Sequence, residues 1–356
     1  SDDAFYRIQM HFKELNTEKL AIELSSAYQP LSGKKFNTIS FPHIWQLKLE
    51  AFYVKYGMIR IALLFYALAF ILYLLGFILK RKSCFYCGFY SLLFGFMIHS
   101  LILLMRILIL ERPPVSSMNE TLLFVPWSAT LVYLIIHFFK NEPILSLACA
   151  LGNTLLLGVG WMADLGDNLS TVQPVLNSQF WLTTHVLMVV GSYGIFILAG
   201  ILGHFWLIGN LIHKEKSWWM KQLPQLLLTV LYTGLILLIG GTLLGGVWAS
   251  QSWGRFWDWD PKESWAFISI LTYLILIHLY TFNYTKSFGL AFGSILGVIM
   301  ISFTWYGVNY ILGTGLHSYG FGSGGTPYYL SYLLIELIFL LIVLTNKPKK
   351  EIVPRS

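Results

Sequence analysis

Residues 58–79 read MIRIALLFYALAFILYLLGFIL, twenty-two positions with a single charge, Arg60. About 17–25 consecutive apolar residues, wound as a helix, cross the hydrocarbon core of a bilayer. This run has that length. Working outward from it, comparable runs recur at about 89–110, 121–139, 144–163, 180–212, 225–248, 264–283, 288–310 and 328–345. The chain is 56% hydrophobic and only 12% charged, about half the roughly 25% charged residues of a soluble domain. The fold class predicted is an all-α polytopic integral membrane protein with about nine transmembrane helices.

The formal charge of +7 calls for no nucleic-acid partner, because the basic residues fall where membrane topology places them. With the N-terminus outside and the C-terminus cytoplasmic, the inner loops and tail carry Lys80, Arg81, Lys82, Lys140, Lys214, Lys216, Lys221, Lys286, Lys347, Lys349 and Lys350. The short outer loops carry only Arg112, Arg255 and Lys262. Positive charge concentrated on one side marks the cytoplasmic face. The other face then looks toward the periplasm or an equivalent compartment.

The first 57 residues open mid-pattern on SDDAFYRIQMHF, with no initiator Met and no signal-peptide pattern. They read as an extracytoplasmic segment, the tail of a larger region. Residues 58–84 read as a junction span, 85–345 as the main membrane domain, and 346–356 as a cytoplasmic tail whose VPRS ending resembles a protease-site tag remnant. Three cysteines make no disulfide framework. Cys84 and Cys87 form a CFYC at an inner helix end, and no second pair completes a zinc site.

Between two of the apolar runs lies WGRFWDWDPKESWA (253–266), with Trp253, Trp257, Trp259 and Trp265 among three acids, Asp258, Asp260 and Glu263. Tryptophans gather at membrane interfaces, but four in fourteen residues, broken by Gly254, also make a stacking surface for a planar macrocycle. His185, at the outer start of the fifth run, and His317, in the Gly-rich TGLHSYGFGSGGTP, share the face of this loop, predicted over 249–263. Two imidazoles beside flat rings suit the axial positions of a haem iron. His278, fourteen residues beyond Ser264, lies about 21 Å of helical rise into the membrane, where an ionisable group usually serves a site. His99 and His204 also lie within spans, and depth alone does not choose among the three. His11, His43, His137 and His213 sit in the leading segment or near the inner surface.

The tryptophan loop resembles the WWD motif of haem-handling membrane proteins, and the layout from about 85 to 345 resembles the CcsA family of System II cytochrome c synthases. ERPPVSSMNETLLFVPW (111–127) is similar to an outer-loop signature of that family. The leading segment and first span look like the junction of a fused CcsB–CcsA protein. The resemblance implies haem b as transported substrate and bound ligand, with His185 and His317 as external iron ligands and as the groups that serve attachment. It implies His278 as an intramembrane ligand, and Trp253, Gly254, Trp257, Asp258, Trp259 and Asp260 as the haem-contacting loop. The implied activity is a lyase-type thioether formation that joins haem vinyls to the CxxCH thiols of apocytochrome c on the outer face. Implied partners are apocytochrome c, a CcsB-like part supplying the other intramembrane ligand, and thiol-reducing proteins. A haem exporter without attachment activity and a bis-histidine b-type electron carrier are the alternative readings.

Overall fold

The computed structural model describes residues 35–36, 39–40, 43–162, 178–212, 218–312 and 325–346. The chain divides into two compact units at Gly57. The first contains a two-residue antiparallel pairing, β1 (Lys35–Phe36) with β2 (Ile39–Ser40), and helix α1 (Ile44–Tyr56), capped at its end by Gly57 in the left-handed region.

The second unit is a helical bundle. Its described helices are α2 (Met58–Leu79), α3 (Lys82–Leu110), α4 (Met118–Phe139), α5 (Pro143–Met162), α6 (Leu187–Leu211), α7 (Trp218–Trp253), α8 (Pro261–Thr281), α9 (Ser287–Ser302) and α10 (Thr326–Thr345). Two of them are extended by wider-wound π-helical stretches, Leu182–Val186 ahead of α6 and Phe303–Leu312 after α9. Among the described residues nine helices are long and apolar enough to cross a membrane, and the chain is an all-α polytopic membrane protein. Leucines such as Leu64 and Leu334 point outward and exposed, as apolar side chains do when lipid replaces water.

Two elements exceed their apolar runs. Helix α3 begins at Lys82, so Cys84 and Cys87 lie in its first turns as free thiols, and the 84/85 boundary expected from sequence falls inside this helix. Helix α7 begins at Trp218, carries Pro224 internally, and continues through Ala249–Trp253. The loop expected over 249–263 is therefore only residues 254–260, because Ser250, Gln251 and Ser252 are polar without breaking the backbone ladder. Gly254 N–H still donates to the Ser250 carbonyl at 3.1 Å.

Helix α6 is the axis of the bundle and packs against α4, α5, α7 and α9. Small residues make that possible, since lipid offers no hydrophobic drive and helices associate by close packing. A Cβ at Gly203 would meet the Ala291 carbonyl of α9. On its other sides Phe196 stacks on Tyr273 of α8, centroids 3.8 Å apart and nearly parallel.

Candidate functional site

A cavity of about 190 Å³ lies where the starts of α4, α6 and α8 meet the ends of α7 and α9. Val115–Met118 and Thr121 form one wall. The π-helical stretch with His185, continuing to Tyr193, forms another. Thr242, Gly245, Gly246 and Trp248 of α7, Phe256 and Trp257 of the loop, Lys262, Glu263 and Ala266 of α8, and Trp305, Asn309 and Tyr310 complete it. Rings and small residues make up much of this lining, with polar side chains such as Ser116, Thr121, Thr242, Lys262, Glu263 and Asn309 set among them, a mixture that can hold an apolar ligand and fix its orientation.

His185 is held in one orientation. Its Nδ1–H donates to the Gly241 carbonyl at 2.7 Å, so in the neutral ring the lone pair sits on Nε2. A second contact that orients a ring nitrogen is how proteins prepare histidine for a metal. The ring lies 5.8 Å from Trp248, and a Cβ at Gly245 would come within 2.5 Å of its Cε1. Only a residue with no side chain fits there. Gly245→Val is therefore expected to push the imidazole off the Gly241 carbonyl, giving a protein that still extracts as a monodisperse species in detergent but shows the deficit of a His185 variant. Retention of full activity by that variant would show that the ring position is immaterial.

The loop between α7 and α8 is braced by its own acids. Glu263 Oε2 accepts from the Asp258 backbone N–H at 2.7 Å and Oε1 from Arg255 Nη1 at 3.3 Å. Arg255 Nε also pairs with Asp258 at 3.2 Å. Asp260 Oδ1 caps α8 by accepting from the Lys262 and Glu263 N–H groups, and Pro261 follows at the first helical position, where its missing donor is harmless. Gly254 and Trp259 both have positive φ, 71° and 58°. That conformation is strained for Trp259 and is held by Ser264, whose hydroxyl donates to its carbonyl at 3.0 Å. Trp257 is edge-on to Trp259 and to Phe267, and its indole Nε1–H is buried with no acceptor among the described residues.

Comparison with known proteins bears on this arrangement. The family described as "Cytochrome C assembly protein" matches residues 115–317. The stretch begins at the first residue of the cavity lining and runs past the last, Tyr310.

The chain belongs to the cytochrome c assembly protein family.

Its relatives include "Protein NrfI" of Wolinella succinogenes, 36% identical over 241 residues, 64% of this chain and 25% of that protein. "Cytochrome c biogenesis protein CcsA" of Coffea arabica is 30% identical over 251 residues, 58% of this chain and 77% of the relative. The CcsA of Ranunculus macranthus is 32% identical over 247 residues, 58% of this chain and 78% of it. The chain thus spans a quarter of NrfI and about three-quarters of the CcsA proteins. Membership of the cytochrome c assembly family carries a role in cytochrome c maturation.

Set against this family, the sequence-predicted residues fall into groups. His185, Trp257 and the 111–127 stretch, through Val115–Thr121, meet at the cavity. Trp253 is one layer back, 6.3 Å from Trp248. Trp259 is exposed, and the Asp258 and Asp260 carboxylates brace the loop rather than line the cavity. His317 lies outside the described residues. Trp248, Phe256, Lys262 and Trp305 line the cavity without having been singled out. The Trp305 indole donates to Thr121 of the signature stretch at 2.9 Å, but the two lie 184 residues apart in sequence.

The three intramembrane histidines differ in what surrounds them. His99 is fully buried against Tyr66. His204 Nδ1 lies 2.8 Å from the Gly200 carbonyl, and its Nε2 lies 3.0 Å from Glu336 of α10. His278 is exposed in an apolar groove of about 270 Å³ with Leu274, Ile275, Leu279, Phe282 and Tyr284. Its Nδ1–H donates to the Leu274 carbonyl at 2.7 Å, leaving the Nε2 lone pair for another group.

Proposed function

We propose that this protein moves haem across the membrane and attaches it covalently to the CxxCH thiols of apocytochrome c, as the WWD-bearing part of a System II synthase. The observation that carries the reading is His185, oriented by its Nδ1–H bond to the Gly241 carbonyl in the wall of an aromatic cavity that Phe256 and Trp257 of the tryptophan loop help to line. The cavity is smaller than the roughly 300–1,000 Å³ of pockets that enclose a ligand. It would therefore hold only part of the macrocycle, with His185 in its wall and His317 as the expected second iron ligand.

The chemistry asks little of the protein beyond position. A cysteine thiol adds across a vinyl group, sulfur bonding to one carbon while the thiol hydrogen ends on the other, with no outside oxidant or reductant. Thioether formation is then governed by how long thiol and vinyl are held together in the right orientation, and the reactive group belongs to the cofactor. His278 serves an earlier stage. Its ring edge faces away from the bundle in an apolar groove, so a second ligand comes from a helix outside the described bundle, for which a CcsB-like part is the expected source. In this reading the cavity end of the bundle faces the periplasm and the His278 end the cytoplasm of a bacterial inner membrane.

The test is covalent haem transfer in cells. The chain, a CcsB-like partner and an exported CxxCH reporter are co-expressed in a host lacking its own maturation system. Haem that stays on the reporter through a denaturing gel only when this chain is present is the expected result. Haem bound by the chain but never transferred, with the partner folded and present, would replace synthase with exporter or electron carrier.

A further inference from the structure

The same cavity is lined by two hydrogen-bond donors that have no hydrogen-bond acceptor among the described residues. Lys262 lines the cavity from the first turn of α8, and its ammonium makes no hydrogen bond or ion pair among the described residues, whereas Arg255 beside it makes both. The nearby acids are committed. Glu263 is held by Arg255 and the Asp258 N–H, and Asp260, which acts on the Lys262 charge at longer range, caps the helix. The second donor is the Trp257 indole, buried and without an acceptor among the described residues. An unpaired donor and an unpaired cation are costly in an apolar setting, and one ligand group relieves both, a carboxylate.

We propose that Lys262 and Trp257 form a carboxylate anchor, binding a pendant propionate of the macrocycle that His185 ligates. This rests on the haem reading above and adds an orientation to it. In protoporphyrin IX the two propionates occupy one edge and the vinyl groups lie toward the opposite side. A cavity that grips the carboxylate edge leaves the vinyl groups at the outer rim, where incoming thiols reach them. Reversed insertion would bury the vinyl groups and leave two donors unpaired, so the anchor selects the productive orientation.

The test uses the full chain in an uncharged detergent and metal-free protoporphyrin IX, which removes iron ligation from the measurement. Binding is followed by quenching of tryptophan emission and compared with that of the dimethyl ester, whose carboxylates carry no charge. Wild-type protein is expected to favour the free acid by about tenfold or more, the range of a charge-assisted hydrogen bond. The preference should fall to near unity in Lys262→Met, survive in Lys262→Arg, and weaken in Trp257→Phe, which keeps the ring and loses only the N–H. Laurate, a carboxylate with no macrocycle, should not compete at equal concentration.

Equal binding of acid and ester by the wild type overturns the anchor, and this arm needs no variant to fold. An acid preference unchanged in Lys262→Met or Lys262→Gln overturns it also, while haem binding through His185 would stand. Competition by laurate as strong as by the porphyrin would reassign the site to lipid carboxylates. Failure of wild-type protein to bind either porphyrin or iron protoporphyrin would bring down the haem reading together with the anchor.

Discussion

Glu120→Gln is expected to destabilise the protein by about 3–5 kcal/mol, the loss seen when a buried ion pair keeps its cation and loses its anion. One carboxylate at the start of α4 answers two guanidinium groups. Arg112 reaches it in a two-pronged contact, Nη1 to Oε2 at 2.9 Å and Nη2 to Oε1 at 3.1 Å, and Arg106 Nη2 stands 3.6 Å from Oε1. Arg106 and Glu120 are fully buried and Arg112 is 6% exposed. The same carboxylate accepts from the Ser116 and Ser117 N–H groups, while Ser117 returns a hydroxyl acceptor to the Glu120 N–H. Glutamine preserves the size but not the charge, and it turns one acceptor into a donor facing donors.

Because Val115–Met118 and Thr121 are cavity wall, the damage reaches the site as well as the fold. The measurement is denaturation in detergent beside Lys140→Gln, which removes the cation of an ion pair whose lysine is 60% exposed. Its Glu142 partner is 4% exposed, but the lysine reaches solvent, so this loss should cost clearly less than that of Glu120. Equal midpoints for the two variants would dismiss the network as a stabilising element.

His185→Gly is expected to abolish most covalent haem attachment while leaving the bundle folded. Losing even an outer-shell partner of a metal ligand typically costs about 10–100-fold in metal affinity or activity, and loss of the ligand itself should cost at least that. The vacancy suits a ring, because Gly245 on the facing helix, lacking a side chain, leaves the imidazole its space. Added imidazole should therefore refill it and restore part of the activity, with the visible spectrum of bound haem returning toward that of the wild type. Loss of activity with unchanged haem content and spectrum, and no response to imidazole, would remove His185 from the iron.

Where sequence and structure agree, the reason is the solvent. Span existence and order follow from hydropathy because a bilayer sets the length of an apolar helix, and 58–79 coincides with α2. Span ends are less legible. Past the hydrocarbon edge a helix no longer needs apolar residues, so α3 and α7 run on through CFYC and ASQSW. The tryptophan loop and His185 were legible as an aromatic cluster and an imidazole on one face. The separate roles of Asp258, Asp260 and Glu263 were not, since a carboxylate that braces a loop and one that lines a cavity are the same letter.

The deepest limit concerns which way a side chain points. In a soluble helix the apolar stripe marks the inside, but here lipid and core are both apolar, and α8 shows no such stripe to separate buried Tyr273 from exposed His278. His99, His204 and His278 read alike in sequence and differ wholly in surroundings. By itself the sequence determined that this chain crosses a membrane repeatedly, in which order, and with which aromatic loop between two spans. Only the tertiary structure decided that Glu263 and Arg255 are paired while the Lys262 ammonium and the Trp257 indole N–H have no hydrogen-bond acceptor among the described residues, because pairing depends on distances that turn geometry and helix rotation set.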